Sequence, residues 1–290
     1  MPARYVVSSM VLSSRASIDI TKDEHDALLQ AVERLLHCTD VEEKFDCLIE
    51  NYRELEEYLL TEALRAIISF PRGNIEFQLL RSKTSRKLSN FLSSARLYCS
   101  TIETHAAAII GNNAASDQIK AAMSRQFDAS LNYRVMDALR NYAQHAALPV
   151  HTYAFGGSWT PDRKFLEHEV DPGISVADLA IDPAFKRKTL NEIIDRPPTL
   201  KLKPMVRDYI EGLSTVHREF RDLTSTAIDR YAQKIEQVKH RMKAQFSDTP
   251  DVGFATFEVD EAGNMLRPET ALSNVLDEYL QFLKSKTDSL

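Results

Sequence analysis

"VMDALRNYAQHAALPVH", residues 135–151, reads first as a helix and then as its end. At about 100° per residue, Val135, Ala138, Leu139, Tyr142 and Ala146 share one arc, the expected core side. Asp137, Arg140, Asn141, Gln144 and His145 fall on the opposite arc, which spans about 140°. Pro149 stops the helix, because it offers no amide proton and drives the residue before it out of helical geometry.

Upstream the same 3.6-residue period recurs. "TKDEHDALLQAVERLLHC" opens with Thr21 as an N-cap and acids in the first turn, and Leu28, Leu29, Val32, Leu35 and Leu36 follow at helical spacing. A second helix is expected over residues 41–70, ended by "FPRGN". A third is expected over 75–110, with Leu88, Leu92, Ala95, Cys99, Ile102, Ala106 and Ile109 as its buried stripe and Gly111 as its stop. A shorter helix from about residue 117 leads into the quoted segment.

Downstream the texture changes. Glycines, prolines and short β-prone runs predict strands near 151–156 and 164–170, then a short helix over 184–194. "DRPPTLKLKP" reads as a stiff connector, and a long helix is expected over 204–246. "GFATFEVDEAGNMLRP" alternates around Glu261-Ala262-Gly263-Asn264 and reads as a hairpin, with a final helix over 270–286. The expected fold is mainly α, with a small β element after residue 150 and a C-terminal β-hairpin plus helix. The composition divides the chain into a helical part, 1–150, and an elaboration, 151–290.

The totals narrow the class. The chain has 290 residues, 43% hydrophobic and 27% charged, with 8 glycines, which suits a folded helical protein. Net charge is -6, yet residues 23–62 are acidic and 72–96 basic, so a basic cleft is compatible with the total. Three cysteines without C-x-x-C spacing exclude a zinc ribbon and argue against a disulfide framework. The N-terminal "YVVSSMVL" is too broken by serines for a signal core, and no apolar run approaches the roughly 20 residues of a membrane span. A cytoplasmic protein without a membrane segment is expected.

Residues 140–145, R-N-Y-A-Q-H, put a permanent cation, an amide and an imidazole on one helical face. Asn141 and His145 stack four apart, and the long stem of Arg140 can swing toward His145. A second Arg…His pair, Arg163 and His168, lies in a β-prone run, where alternation sends the two to opposite sides. The first segment resembles the HEPN superfamily, whose helical bundles carry Arg, four to six residues, then His, often with a polar residue directly after the Arg. The resemblance covers residues 20–150, including two long helices before the motif helix. It implies a metal-independent endoribonuclease working without cofactor, with Arg140, Asn141 and His145 as catalytic residues. It also implies RNA as substrate and a homodimer that pairs two motif helices. A toxin or antiviral role with an antitoxin or regulatory partner protein follows from the same family. The chemistry is coherent. Histidine moves protons near neutral pH, and arginine offers a planar fork to phosphate oxygens. The alternative is a non-catalytic helical module that binds RNA or a partner protein through the same face.

Other features carry less. "RSKTSRK" (81–87), "FKRKTL" (185–190) and "KHRMK" (239–243) are basic runs without interleaved aromatics, expected as solvated faces before phosphate grips. His105 is expected to be a satisfied helix histidine, since its own helix offers no second ligand at three or four residues. His25 is expected exposed, His217 and His240 are too distant to pair, and His151 borders the motif without a catalytic assignment. No metal site is expected.

Overall fold

The computed structural model describes residues 4–11, 16–69, 73–145, 147–247, 253–260, 262–266, 270–272 and 274–288, without the side chains of 145, 274 and 275. In chain order the elements are β1 (Arg4–Ser9), β2 (Ser17–Ile20), α1 (Lys22–Ile68), α2 (Asn74–Ile110), α3 (Asn113–Ala129) and α4 (Leu131–His145). There follow β3 (Thr152–Trp159), β4 (Leu166–Ser175), α5 (Val176–Ile181), α6 (Arg187–Ile193), β5 (Thr199–Lys201), α7 (Leu202–Gln245), β6 (Phe254–Val259), β7 (Thr270–Leu272) and α8 (Asn274–Lys286). The fold is mainly α with two small antiparallel sheets. Among the described residues no helix is long and apolar enough to cross a membrane.

Two compact units emerge, each assembled from separated stretches. The first takes the described residues within Met1–Glu43, Ile102–Asp117 and Phe220–Ser289. Its sheet has the order β2-β1-β6-β7, with Val6 opposite Phe257 and Ala255 opposite Ala271. Val7, Leu28, Leu35, Ile109, Met242, Ala255 and Leu280 are buried in it. The second unit holds Lys44–Thr101 and Gln118–Glu219. Its sheet, β3-β4-β5, is mostly an exposed hairpin whose turn puts Arg163 at φ 55. Its core includes Leu48, Leu88, Phe91, Tyr98, Met136, Leu139 and Tyr209. His217 is buried there, its ring stacked 3.7 Å from Phe45 and its Nδ1 3.1 Å from the Tyr98 hydroxyl.

Several local signals act as expected. Thr21 Oγ1 accepts from the Glu24 amide at 3.1 Å while Glu24 Oε2 accepts from the Thr21 amide at 2.8 Å, a reciprocal cap that starts α1. The Thr21 amide bond first, and then the Arg241 guanidinium, hold the Glu24 carboxyl below its usual pKa. Gly111, at φ 83, ends α2 where a side chain would be strained.

Other elements depart from the sequence reading. The two helices expected on either side of residue 40 are one, because neither proline nor glycine interrupts them and Thr39 Oγ1 donates back to the Leu35 carbonyl at 3.1 Å. "YVVSSMVL" contributes β1, whose partners are β2 and a strand some 250 residues away. His25, expected exposed, is buried under that sheet with Nδ1 2.7 Å from Thr256 Oγ1. Among the described residues, the hairpin around residue 262 is short: a turn, the bridge between Val259 and Met265, and amide hydrogen bonds from Asp260 to the Asn264 carbonyl at 2.9 Å and from Leu266 to the Glu258 carbonyl at 2.8 Å. The ladders of β6 run to β1 and β7 instead. Residues 270–272, expected in the last helix, form β7, and the connector contains β5. The short helix α5 starts where Ser175 Oγ caps the Asp178 amide at 3.2 Å.

Candidate functional site

α4 starts at Ser130, whose hydroxyl accepts from the Tyr133 amide at 3.2 Å. Arg134 anchors the corner: its guanidinium donates to the Phe127 and Asp128 carbonyls at the end of α3, both at 2.9 Å, and to Glu192 at 2.8 Å. Tyr133, Val135, Met136, Ala138, Leu139 and Tyr142 are buried. Gly212 of α7 meets this face closely, since a Cβ there would lie 2.8 Å from the Tyr133 ring.

The opposite arc is not uniformly open. Arg140 is only 7% exposed, and its Nη1 pairs with Asp137 Oδ1 at 3.0 Å, one turn back. Asp137 also takes Lys186, so two cations share one half-buried carboxylate. Lys186 therefore belongs to this cluster and not to a free basic run. The wheel sets Arg140 about 100° from Leu139 at the core edge, so its burial comes from tertiary packing: the stretch between α5 and α6 covers that flank, as the Lys186 contact shows. Among the described residues, Arg140 Nε is buried without a hydrogen-bond partner. Asn141 is half-buried and Gln144 exposed. His145 closes α4, and its side chain lies outside the described residues.

Behind the ion pair the environment is apolar. Burial pushes the Cys99 thiol up to about 12, opposed by the Arg140 charge, and raises Tyr133 and Tyr209 as well. Cys38 is likewise pushed up to about 12 by burial, and all three cysteines are free thiols. Beyond Pro149, Val150 donates to Ser85 Oγ at 3.2 Å, so the middle of the basic 81–87 run faces the interior. Lys87 from that run pairs with Glu54 at 2.9 Å. His151 Nδ1 accepts from the Ser175 amide at 3.0 Å, which leaves Nε2 to donate to the Tyr142 hydroxyl at 3.1 Å. Burial lowers the His151 pKa.

The sequence reading missed a second constellation. In the first unit, His37 and Asp40 on α1 meet His105 on α2. The two Nδ1 atoms stand 3.1 Å apart, and the three donor atoms all lie within 4.8 Å of one another. His37 and His105 are half-buried and Asp40 is exposed. The His-x-x-Asp spacing on α1 was the available signal. The third member comes from a helix 68 residues away, which a search along one helix does not reach.

Comparison of the chain with protein-family models, with curated proteins and with solved structures gives no match.

Proposed function

We propose that the C-terminal turns of α4 form the RNA-cleaving face of a metal-independent endoribonuclease, working as a homodimer in which each copy supplies Arg140, Asn141 and His145. Arg140 carries the reading. Asp137 fixes one edge of its guanidinium, while among the described residues Nε is buried without an acceptor. A buried donor without a partner costs roughly 1–3 kcal/mol, and such groups in native folds call for a role. A rotation of the long arginine stem offers that edge to a phosphate oxygen one turn from His145, where the imidazole moves the proton of the 2′-hydroxyl. One histidine serves poorly as both base and acid, which is why the reading requires a second copy.

A second reading rests on the same residue. At 7% exposure and already neutralised by Asp137, Arg140 is closed to a phosphate as it stands. This favours a helical module that binds RNA or a partner protein without cutting.

The test is RNA incubation with the full chain in EDTA. The enzyme reading expects cleavage with 2′,3′-cyclic phosphate ends and a loss of about 100-fold or more in His145→Ala and in Arg140→Ala, both still folded. It also expects a dimer mass by light scattering. Cleavage equal to wild type in both variants overturns it, and binding without any cleavage selects the second reading.

A further inference from the structure

Two imidazoles that face each other nitrogen to nitrogen need an explanation. The His37 and His105 rings meet edge-on, centroids 5.2 Å apart and planes at 63°, with Nδ1 pointing at Nδ1. Two protonated rings repel in this arrangement, so the geometry selects either a shared N–H···N bond or a cation that takes both lone pairs. An ion with Zn–N bonds of about 2.0–2.1 Å and tetrahedral angles separates its ligating nitrogens by about 3.3 Å. The observed 3.1 Å is already close to that spacing. A hydrogen bond accounts for the two rings alone. It does not account for a carboxylate gathered with them.

Asp40 supplies that carboxylate. It lies three residues after His37, so both point from one face of α1, and its oxygen falls within 4.8 Å of both ring nitrogens. Glu33 Oε1 lies 4.0 Å from His37 Nε2, on the far side of the ring. A carboxylate behind a histidine is the usual outer partner that fixes tautomer and ring direction for a metal ligand. Nδ1 of His37, and not Nε2, is the ring nitrogen that faces His105. The half-buried rings and exposed Asp40 leave the site open to ions from solvent.

We propose that His37, Asp40 and His105 bind one divalent first-row transition-metal ion of the zinc class. Two imidazoles and a single carboxylate suit zinc, cobalt or nickel; calcium and magnesium require more oxygens. Three protein ligands leave a fourth position for water. The site is separate from Arg140, Asn141 and His145 in sequence and chemistry, and it does not depend on the ribonuclease reading.

The test uses the full chain, stripped with EDTA and dialysed. Zinc is titrated calorimetrically, and cobalt(II) is added as a coloured reporter of tetrahedral coordination. One ion per chain is expected, with intense visible cobalt absorption that zinc displaces. His37→Gln and His105→Gln should each weaken zinc binding by more than the roughly 10–100-fold typical of outer-partner losses, and Glu33→Gln by about tenfold. Metal-free melting temperatures show whether the variants fold, and exposed Asp40→Asn serves if a histidine variant does not. No binding by the wild-type chain, or binding unchanged in the ligand variants, overturns the proposal. Magnesium bound as tightly as zinc does so too.

Discussion

The end of α4 and the facing histidines of α1 and α2 solve opposite problems. At α4 the charges are closed on themselves: Arg140 and Lys186 converge on Asp137, and Arg140 is nearly inaccessible. At α1–α2 the polar atoms converge on one another from two helices, half-open to solvent. The first arrangement came from a spacing within one helix and proved more buried than the wheel implied. The second had half of its signal in one helix and half in another. Spacing within an element places Cβ atoms, whereas accessibility and convergence belong to what packs around them.

Breaking the Arg140–Asp137 pair should have the largest effect on stability. Asp137→Ala leaves a buried guanidinium without its counter-charge and should cost about 3–5 kcal/mol in chemical denaturation. Adding Arg140→Met should return most of that loss. A cost near zero for Asp137→Ala would mean that the pair is solvated and that the contrast between the two regions is false. Next comes the apolar face of the same helix. Gly212→Leu would drive carbon into the Tyr133 ring, already 2.8 Å from where a Cβ would stand, and should cost about 1–3 kcal/mol. Stability equal to wild type would show that the α4 face yields more easily than its packing indicates.

Smaller effects sharpen the other side. Thr21→Ala removes the reciprocal cap of α1 and should cost about 1 kcal/mol, while leaving the zinc response of His37, Asp40 and His105 intact. A parallel loss of zinc binding would tie that site to fraying of the helix start and not to its own ligands. The last effect is read as a pH slope. The folded His151 pKa lies below the ordinary histidine value, chiefly through burial. Its contribution is therefore fully present above the unfolded value of about 6.5 and is lost as pH falls through the window down to the lowered folded value. Protonation of Nδ1 also removes the acceptor of the Ser175 amide. Denaturation midpoints at pH 7.5 and 5.5 should differ more in wild type than in His151→Gln, and equal differences would count against the assignment.

Local chemistry was legible where one segment carries its own instructions. Thr21 and Glu24, Gly111, Pro149 and the 3.6-residue stripes of Leu88 to Ile109 and of Val135 to Tyr142 determine where helices lie and which face they bury. The R-N-Y-A-Q-H spacing was equally visible as residues of one helix, whereas its catalytic role is a proposal. Only tertiary structure decided the rest. β1 pairs with β6 from the far end of the chain, His25 goes under that sheet, and Asp137 collects a lysine 49 residues away. His37 acquires His105 in the same way. Hydrogen-bond ladders, ion pairs and ligand sets join groups according to distance in space, and no periodicity along the chain encodes which distant segment arrives there.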